Sequence, residues 1–312
     1  MTAHKVNLLY LGAVGLGVIP LSITQRQGLF KKHGVDVQLV PVPGTQVPKL
    51  TPENPVGYIG APAALMRVAE GVDLKILASF DNGRLSNHLV ARPGINGPDD
   101  LRGKRLGARV TGAALWIHSI LALEQLGLDS RRDNISILPI GDPPQIAQAL
   151  ESGEIDAAVL SRAQSRQLIA KGYSVLLDLY PANIHGAQDA LVATAAFRKE
   201  YPDAVESIVS AMIEGAAFCL TESRQSIVLQ TIMEELKVSD SDAARDSLHQ
   251  LSLVLTRKPY PSLERLRNMQ RIMSSHDPRV LAVEIDKLID DSFVRRLDSR
   301  GFIDEAYEAV RD

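Results

Sequence analysis

Residues able to hold a small molecule recur at regular places along this 312-residue chain. Gly12, Gly15 and Gly17 follow an apolar run, with Leu16 between the last two, and such a loop lets backbone amides approach a ligand. Gly60-Ala61-Pro62-Ala63 and Val110-Thr111-Gly112-Ala113-Ala114 each lead from an apolar run into a helical pattern. Proline in a first turn leaves unpaired amides pointing outward, where the partial positive charge suits an anion or a carbonyl. Thr111 can cap its helix or lend its hydroxyl to a ligand. Gly112 lets a ligand reach the backbone. Trp116, the sole tryptophan, suits either the core or a cleft wall against an apolar group. His118 lies two residues further and is expected to point elsewhere, to a surface or packed position. Arg162 ends another apolar run. Its guanidinium could fork onto a carboxylate or sulfonate, or form a salt bridge between lobes, and Arg84 and Arg109 share that ambiguity. Polar residues flank two short strands: Asp81-Asn82-Gly83 and Asn87-His88 before one, Gly186-Ala187-Gln188-Asp189 before the other. Asn82, His88 and Gln188 could orient a ligand or satisfy backbone groups.

Catalytic and metal-binding patterns are missing from the sequence. It holds no G-x-S-x-G and no H-E-x-x-H. The seven histidines form no metal-spaced pair, and Cys219 stands alone, so neither an intrachain disulfide nor a cysteine-built metal site is expected. Pro20, three residues after Gly17, breaks a dinucleotide fingerprint. Gly97 to Lys104 has five residues between its glycines, with Arg105 where a phosphate loop needs Ser or Thr. No catalytic residue, metal ligand or cofactor is assigned. With 34 Lys+Arg against 37 Asp+Glu and no long run of one sign, a nucleic-acid surface is not expected either. The 45% hydrophobic and 23% charged residues are ordinary for a globular protein.

The elements that would position these residues follow from periodicity. Strands are expected at Val6–Leu11, Val35–Pro41, Val56–Ile59, Leu74–Ser79, His88–Ala91, Arg105–Arg109, Ile135–Pro139, Ala157–Leu160, Ser174–Leu177 and Ala190–Ala193. Helices are expected at Ile19–Gln27, Ala63–Glu70, Ala114–Leu126, Pro144–Glu151 and Ala163–Ala170. Val6 to Gln25 carries no charge, but its glycines and Pro20 make it a strand, a loop and a helix rather than a membrane span. Strand and helix in alternation imply parallel sheets with helices on both faces. After Phe197 the pattern becomes helical, at 203–221, 223–237, 240–253, 262–274 and 279–298, with starts at Asp203, Ser239 and Ser262. Residues 11–42 also echo 106–140: Leu11-Gly12-Ala13 matches Leu106-Gly107-Ala108, and Gly28 matches Gly127. Two copies of one β-α-β-α-β unit predict two lobes, whose strand ends at 12–18, 60–63, 110–114 and 161–163 would line one cleft.

Several segments resemble solute-binding proteins of ABC importers of the nitrate/sulfonate/taurine and pyrimidine-precursor type. They are GLFKKHGVDVQLV (28–40), RPGINGPDDLRGKRLGA (92–108), LEQLGLD (123–129), ALESGEIDAAVL (149–160) and FRKEYPDAVESIV (197–209). The resemblance covers nearly the whole chain. It implies an α/β, two-lobed type II periplasmic-binding-protein fold with a ligand cleft between the lobes and a helical C-terminal region. The lobes would be 1–88 with 190–312, and 89–189, with crossings near His88–Arg92 and Asp189–Ala193. It implies capture of a small polar or anionic molecule by hinge closure, ABC permease subunits as partners, a monomer, and a periplasmic or membrane-anchored location with an export signal removed. Two other functions share the architecture: an enzyme of pyrimidine-precursor synthesis or acid dehydration, and a cytoplasmic ligand sensor. The cysteine-rich iron motif of the pyrimidine-building relatives is one that a single cysteine does not supply. The chain departs from the family at Thr51–Val56 and at Ser161-Arg162-Ala163-Gln164.

Overall fold

The computed structural model describes residues 4–11, 15–43, 46–186 and 189–308. The chain begins with β1 (His4–Leu11), α1 (Val18–Arg26), α2 (Leu29–Lys32), β2 (Val35–Val42), β3 (Val56–Gly60), α3 (Ala61–Ala69) and β4 (Leu74–Ser79). It continues through β5 (Asn87–Ala91), β6 (Arg105–Ala108), α4 (Ala114–Gln125), β7 (Ser136–Pro139), α5 (Pro143–Ser152), β8 (Ala157–Ser161), α6 (Arg162–Ile169) and β9 (Ser174–Asp178). After β10 (Asp189–Thr194) come α7 (Ala195–Glu200), α8 (Pro202–Cys219), α9 (Gln225–Leu236), α10 (Ser241–Val254), α11 (Leu263–Ser274), α12 (Ile285–Leu288), α13 (Ser292–Ser299) and α14 (Phe302–Glu308).

Two five-stranded sheets result, ordered β2-β1-β3-β10-β4 and β7-β6-β8-β5-β9. The orders are equivalent position by position, as the internal repeat predicts. β3 and the first four residues of β8 are wholly buried, which is why both read as unbroken apolar runs. The sheets are mixed rather than parallel. β10 runs antiparallel to β3 and β4, and β5 antiparallel to β8 and β9. Each is the strand that arrives from the other lobe, and no crossover helix intervenes to impose a parallel direction.

The crossing segments zip together. Gly186 N donates to Gly83 O at 2.7 Å, and Leu85 N to Ile184 O at 2.9 Å. Asp189 N donates to Asp81 Oδ2 at 2.8 Å and Gly83 N to Asp81 Oδ1 at 2.7 Å.

The C-terminal helices build out the first lobe. α8 lies against α1 so closely that a Cβ on Gly215 would stand 1.9 Å from Thr24 Oγ1. Thr24 Oγ1 meanwhile donates to Pro20 O at 2.7 Å. That contact fixes α1 with its N-terminus toward the second lobe. Ser262 caps α11, accepting from Arg265 N at 3.4 Å. Two other starts differ from expectation. The chain turns helical at Pro202, with Asp203 inside the first turn, and Asp240 rather than Ser239 caps α10, accepting from Asp242 N at 2.9 Å. The single helix expected at 279–298 is interrupted. Ile289 pairs with Ile76 beside β4, and Asp290 N donates to Ile76 O at 2.9 Å, so the chain is extended there. Among the described residues, no single helix is long and apolar enough to cross a membrane.

Candidate ligand-binding cleft

A cavity of about 210 Å³ lies between the two sheets, beside the zipped crossing segments. The first lobe supplies Gly15, Leu16 and Gly17 at the start of α1, Tyr58 and Ile59 of β3, Asp81, Asp189 and the C-terminal half of α10. The second supplies Arg109, Ala114, Leu115 and His118 around the start of α4, and Ser161, Arg162 and Gln164 at the start of α6.

The three arginines of this cavity are engaged by groups of the second lobe. Arg109 Nη2 bonds Asp142 Oδ1 at the start of α5, and Arg162 Nη2 bonds Asp178 Oδ1 and Oδ2 at 2.6 and 2.5 Å. Each guanidinium leaves its buried Nε without a partner among the described residues. The Arg84 guanidinium stacks over the Tyr180 ring at 3.8 Å and donates to Tyr180 O at 3.1 Å. Burial pushes Asp81 up to about 7, with the Asp189 charge adding to the rise. Burial likewise raises Asp189 to about 6, against the pull of Arg109. His118 is 8% exposed and neither ring nitrogen has a partner among the described residues; desolvation lowers it to about 4, so it is neutral near pH 7. Burial and then the Asp189 charge raise the Tyr58 hydroxyl well above its usual range, keeping it protonated.

Of the residues singled out in the sequence as possible ligand contacts, Gly15, Leu16, Gly17, Arg84, Arg109 and Arg162 line this cavity. Gly60, Ala61 and Pro62 are buried at the start of α3, where a Cβ on Gly60 would sit 3.9 Å from the Ala114 Cβ across the interlobe boundary. The starts of α3 and α4 thus approach each other at Gly60 and Ala114. Gly112 packs on the first lobe, a Cβ there falling 2.2 Å from Met66 Sδ. Ala113, not Thr111, is the N-cap residue of α4, and no side chain caps it. Trp116 is buried edge-on against His276 at 5.1 Å. It is His118, not Trp116, that reaches the cavity; the two do diverge, but in the opposite assignment to the one expected from the tryptophan. Asn82 caps the end of α10, Nδ2 donating to Leu253 O at 2.8 Å and N to Val254 O at 2.7 Å. His88 lies behind the Arg162–Asp178 pair, Nε2 at 3.6 Å from Asp178 Oδ2. Gln188 and Gly12 fall outside the described residues.

The sequence reading missed Tyr58, Gln250 and the rest of the α10 wall, whose only signal was amphipathic spacing. Asp81 and Asp189 were visible as members of the polar pairs before each crossing, but nothing in the sequence set them above their neighbours. No group of three His, Cys, Asp or Glu among the described residues could hold a metal ion.

Two α/β lobes joined by two crossing strands around an interlobe cavity define the periplasmic binding protein fold, and solved structures agree. A protein from Bordetella bronchiseptica RB50 superposes with a TM-score of 0.78 at 18% identity, covering 95% of this chain and 97% of that one. The periplasmic aliphatic sulphonate binding protein SsuA from Escherichia coli gives 0.72 at 17%, over 94% and 99%. The periplasmic nitrate-binding protein NrtA from Synechocystis PCC 6803 gives 0.73 at 13%, over 96% and 89%. The family model described as NMT1/THI5 like matches residues 17–226, and the chain belongs to that family. Among curated protein sequences, none matches.

Proposed function

We propose that this chain is the solute-binding component of an ABC-type importer, with the jaw boundaries expected at 88/89 and 189/190 moved to the starts of the crossing strands, so that Asn87 and His88 belong to the second jaw and Asp189 to the first. The observation that carries the reading is the cavity enclosed between two equivalent sheets and hinged on the paired crossing segments. Segments of that kind absorb domain closure around a ligand. Closure then changes the surface offered to a permease. The sulfonate and nitrate binders among the similar structures support a small polar or anionic ligand and an extracytoplasmic location. Gly15, Leu16 and Arg162 touch the ligand, joined by Asp189, Arg109 and His118. Gly60, Ala61, Pro62, Thr111, Gly112, Ala113 and Trp116 serve the closed contact between jaws, while Asn82 and His88 hold the hinge side of the cavity. The chain acts as a monomer and as a binder rather than an enzyme.

Mass spectrometry of small molecules released from the purified protein, followed by calorimetry with the compounds found, tests this. The expected result is saturable binding of an unaltered compound, with a fall in radius of gyration by small-angle X-ray scattering. Chemical conversion of the released compound overturns it.

A further inference from the structure

Asparagine followed by glycine is the pairing most prone to spontaneous cyclisation, because a residue without Cβ leaves its amide nitrogen free to reach the preceding side chain. The chain holds two such pairs, Asn82-Gly83 and Asn96-Gly97. The first stands in the crossing segment between β4 and β5, the second in the loop between β5 and β6.

In Asn82-Gly83 both reacting groups are tied down. The nucleophile, Gly83 N, donates to Asp81 Oδ1 at 2.7 Å, and a carboxylate acceptor opposes loss of that proton. The electrophile is anchored through both atoms of its amide: Nδ2 donates to Leu253 O at 2.8 Å and Oδ1 accepts from Arg84 N at 3.0 Å. Gly83 is buried at a φ of +68°, and a Cβ there would fall 2.8 Å from Arg265 Nη1, so the backbone has little room to turn. Its carbonyl is also engaged, accepting from Gly186 N at 2.7 Å.

Asn96-Gly97 is an internal control. Gly97 N is likewise held by a carboxylate, donating to Asp100 Oδ2 at 3.1 Å. The Asn96 side chain, however, is exposed, and its amide has one contact among the described residues, Ser174 Oγ on Oδ1 at 3.5 Å. The pairs therefore differ chiefly in whether the asparagine amide is anchored.

We propose that Asn82-Gly83 is a latent deamidation site, held in check by the native contacts of the crossing segment, and that its conversion loosens the end of α10. Gly83 N attacks Asn82 Cγ; the new N–C bond forms as the bond to Nδ2 breaks, the amide proton is lost and ammonia leaves. Water then opens the cyclic imide on either side of its nitrogen, giving aspartate or isoaspartate, and no other reagent is needed. The product carries a carboxylate oxygen where Nδ2 stood, facing Leu253 O with no proton to share. Isoaspartate also lengthens the backbone within the segment that pairs with Ile184 and Gly186. Because the C-terminal half of α10 lines the cavity, the change reaches the cleft wall without altering a residue in it.

The test is ageing of the full chain in mildly alkaline buffer, folded and in urea, followed by peptide mapping with mass spectrometry. In urea the two asparagines should convert at rates within about threefold of each other, while folding should slow Asn82 at least about tenfold and leave Asn96 the faster of the two. Conversion of Asn82 as fast folded as unfolded, or no conversion of Asn82 in urea, overturns the assignment. The structural consequence is read by hydrogen exchange. Asn82→Asp, a stand-in for the product, should speed exchange in peptides spanning 251–257 at least about tenfold, and Asn96→Asp should leave them unchanged. Aged Asn96→Ser protein gives the same reading should Asn82→Asp fail to fold, its deamidated form being separated by anion exchange. Unchanged exchange at 251–257 in the deamidated form overturns the link to α10.

Discussion

Asp189 illustrates what a buried carboxylate costs a protein at rest. Its ordinary value of 3.8 rises to about 6 because the charged form is desolvated. The folded protein therefore holds its proton across a window, pH 3.8 to 6, in which the unfolded chain has released it. Stability contributed by that proton is present at low pH and is lost as pH climbs through about 6. His118 acts in the opposite direction. Lowered to about 4, it binds fewer protons folded than unfolded between 4 and 6.5, so its share of stability grows with pH over that span. Replacing Asp189 by Asn removes the buried charge. The ligand-free variant should be more stable than the parent by on the order of 2 kcal/mol at pH about 8, with the gain vanishing near pH about 4, as read by chemical denaturation. Equal stabilities at high pH would mean that the carboxylate is better solvated than its surroundings indicate. The sequence could place Asp189 at a strand start, but whether a carboxylate is dry or wet depends on α1 and α10, which reach it from distant parts of the chain.

At the level of elements, the sequence was most legible where a segment's pattern is set by its own burial. All ten strands and the five helices of the βα units lie within a residue or two of where their apolar spacing puts them, because most of them bury a face in or against a sheet; the edge strands β7 and β9, with no fully buried residue, are the exceptions. Legibility failed where a partner decides the conformation. Residues 289–290 leave the helical path because the edge of β4 offers them a backbone bond. Gly112 looked like a ligand loop, but Met66 fills its approach. Its φ of +81° is one that alanine adopts at a cost of about 1–2 kcal/mol. Gly112→Ala should therefore loosen the jaw contact and weaken ligand binding several-fold without altering a group in the cavity wall, a change read by calorimetry with scattering as control. Gly215 makes a similar case on the other side of the cleft. Gly215→Val drives a branched side chain into Thr24 and should destabilise the fold by roughly 1–3 kcal/mol, lowering the melting temperature.

For the molecule as a whole, the question is what holds the two lobes at this separation. Among the described residues two ion pairs cross between them, Arg166–Asp246 at 2.9 Å and Arg271–Glu124 at 3.0 Å, and all four side chains are well exposed. Exposed pairs of this sort contribute about 0.2–1 kcal/mol each. Between α6 and α10, by contrast, Ala163, Val238 and Ala243 form a buried apolar seam. A carboxylate placed in that seam loses its water on closure. Ala243→Glu should accordingly shift the unliganded protein toward an open form with a larger radius of gyration, whereas Glu124→Ala should leave the scattering curve nearly unchanged. The reverse order of effects would assign closure to the charges.

The second sheet is built from one unbroken stretch, Asn87 to Asp178, and its first and last strands are neighbours, His88 facing Asp178 across the β5–β9 ladder. Such a stretch leaves and re-enters the rest of the chain at a single doorway. It could be exchanged as a cassette between related genes, replacing the wall that holds Arg109, His118 and Arg162 while the carboxylates on the opposite side stay in place. Recognition could then diversify one half at a time.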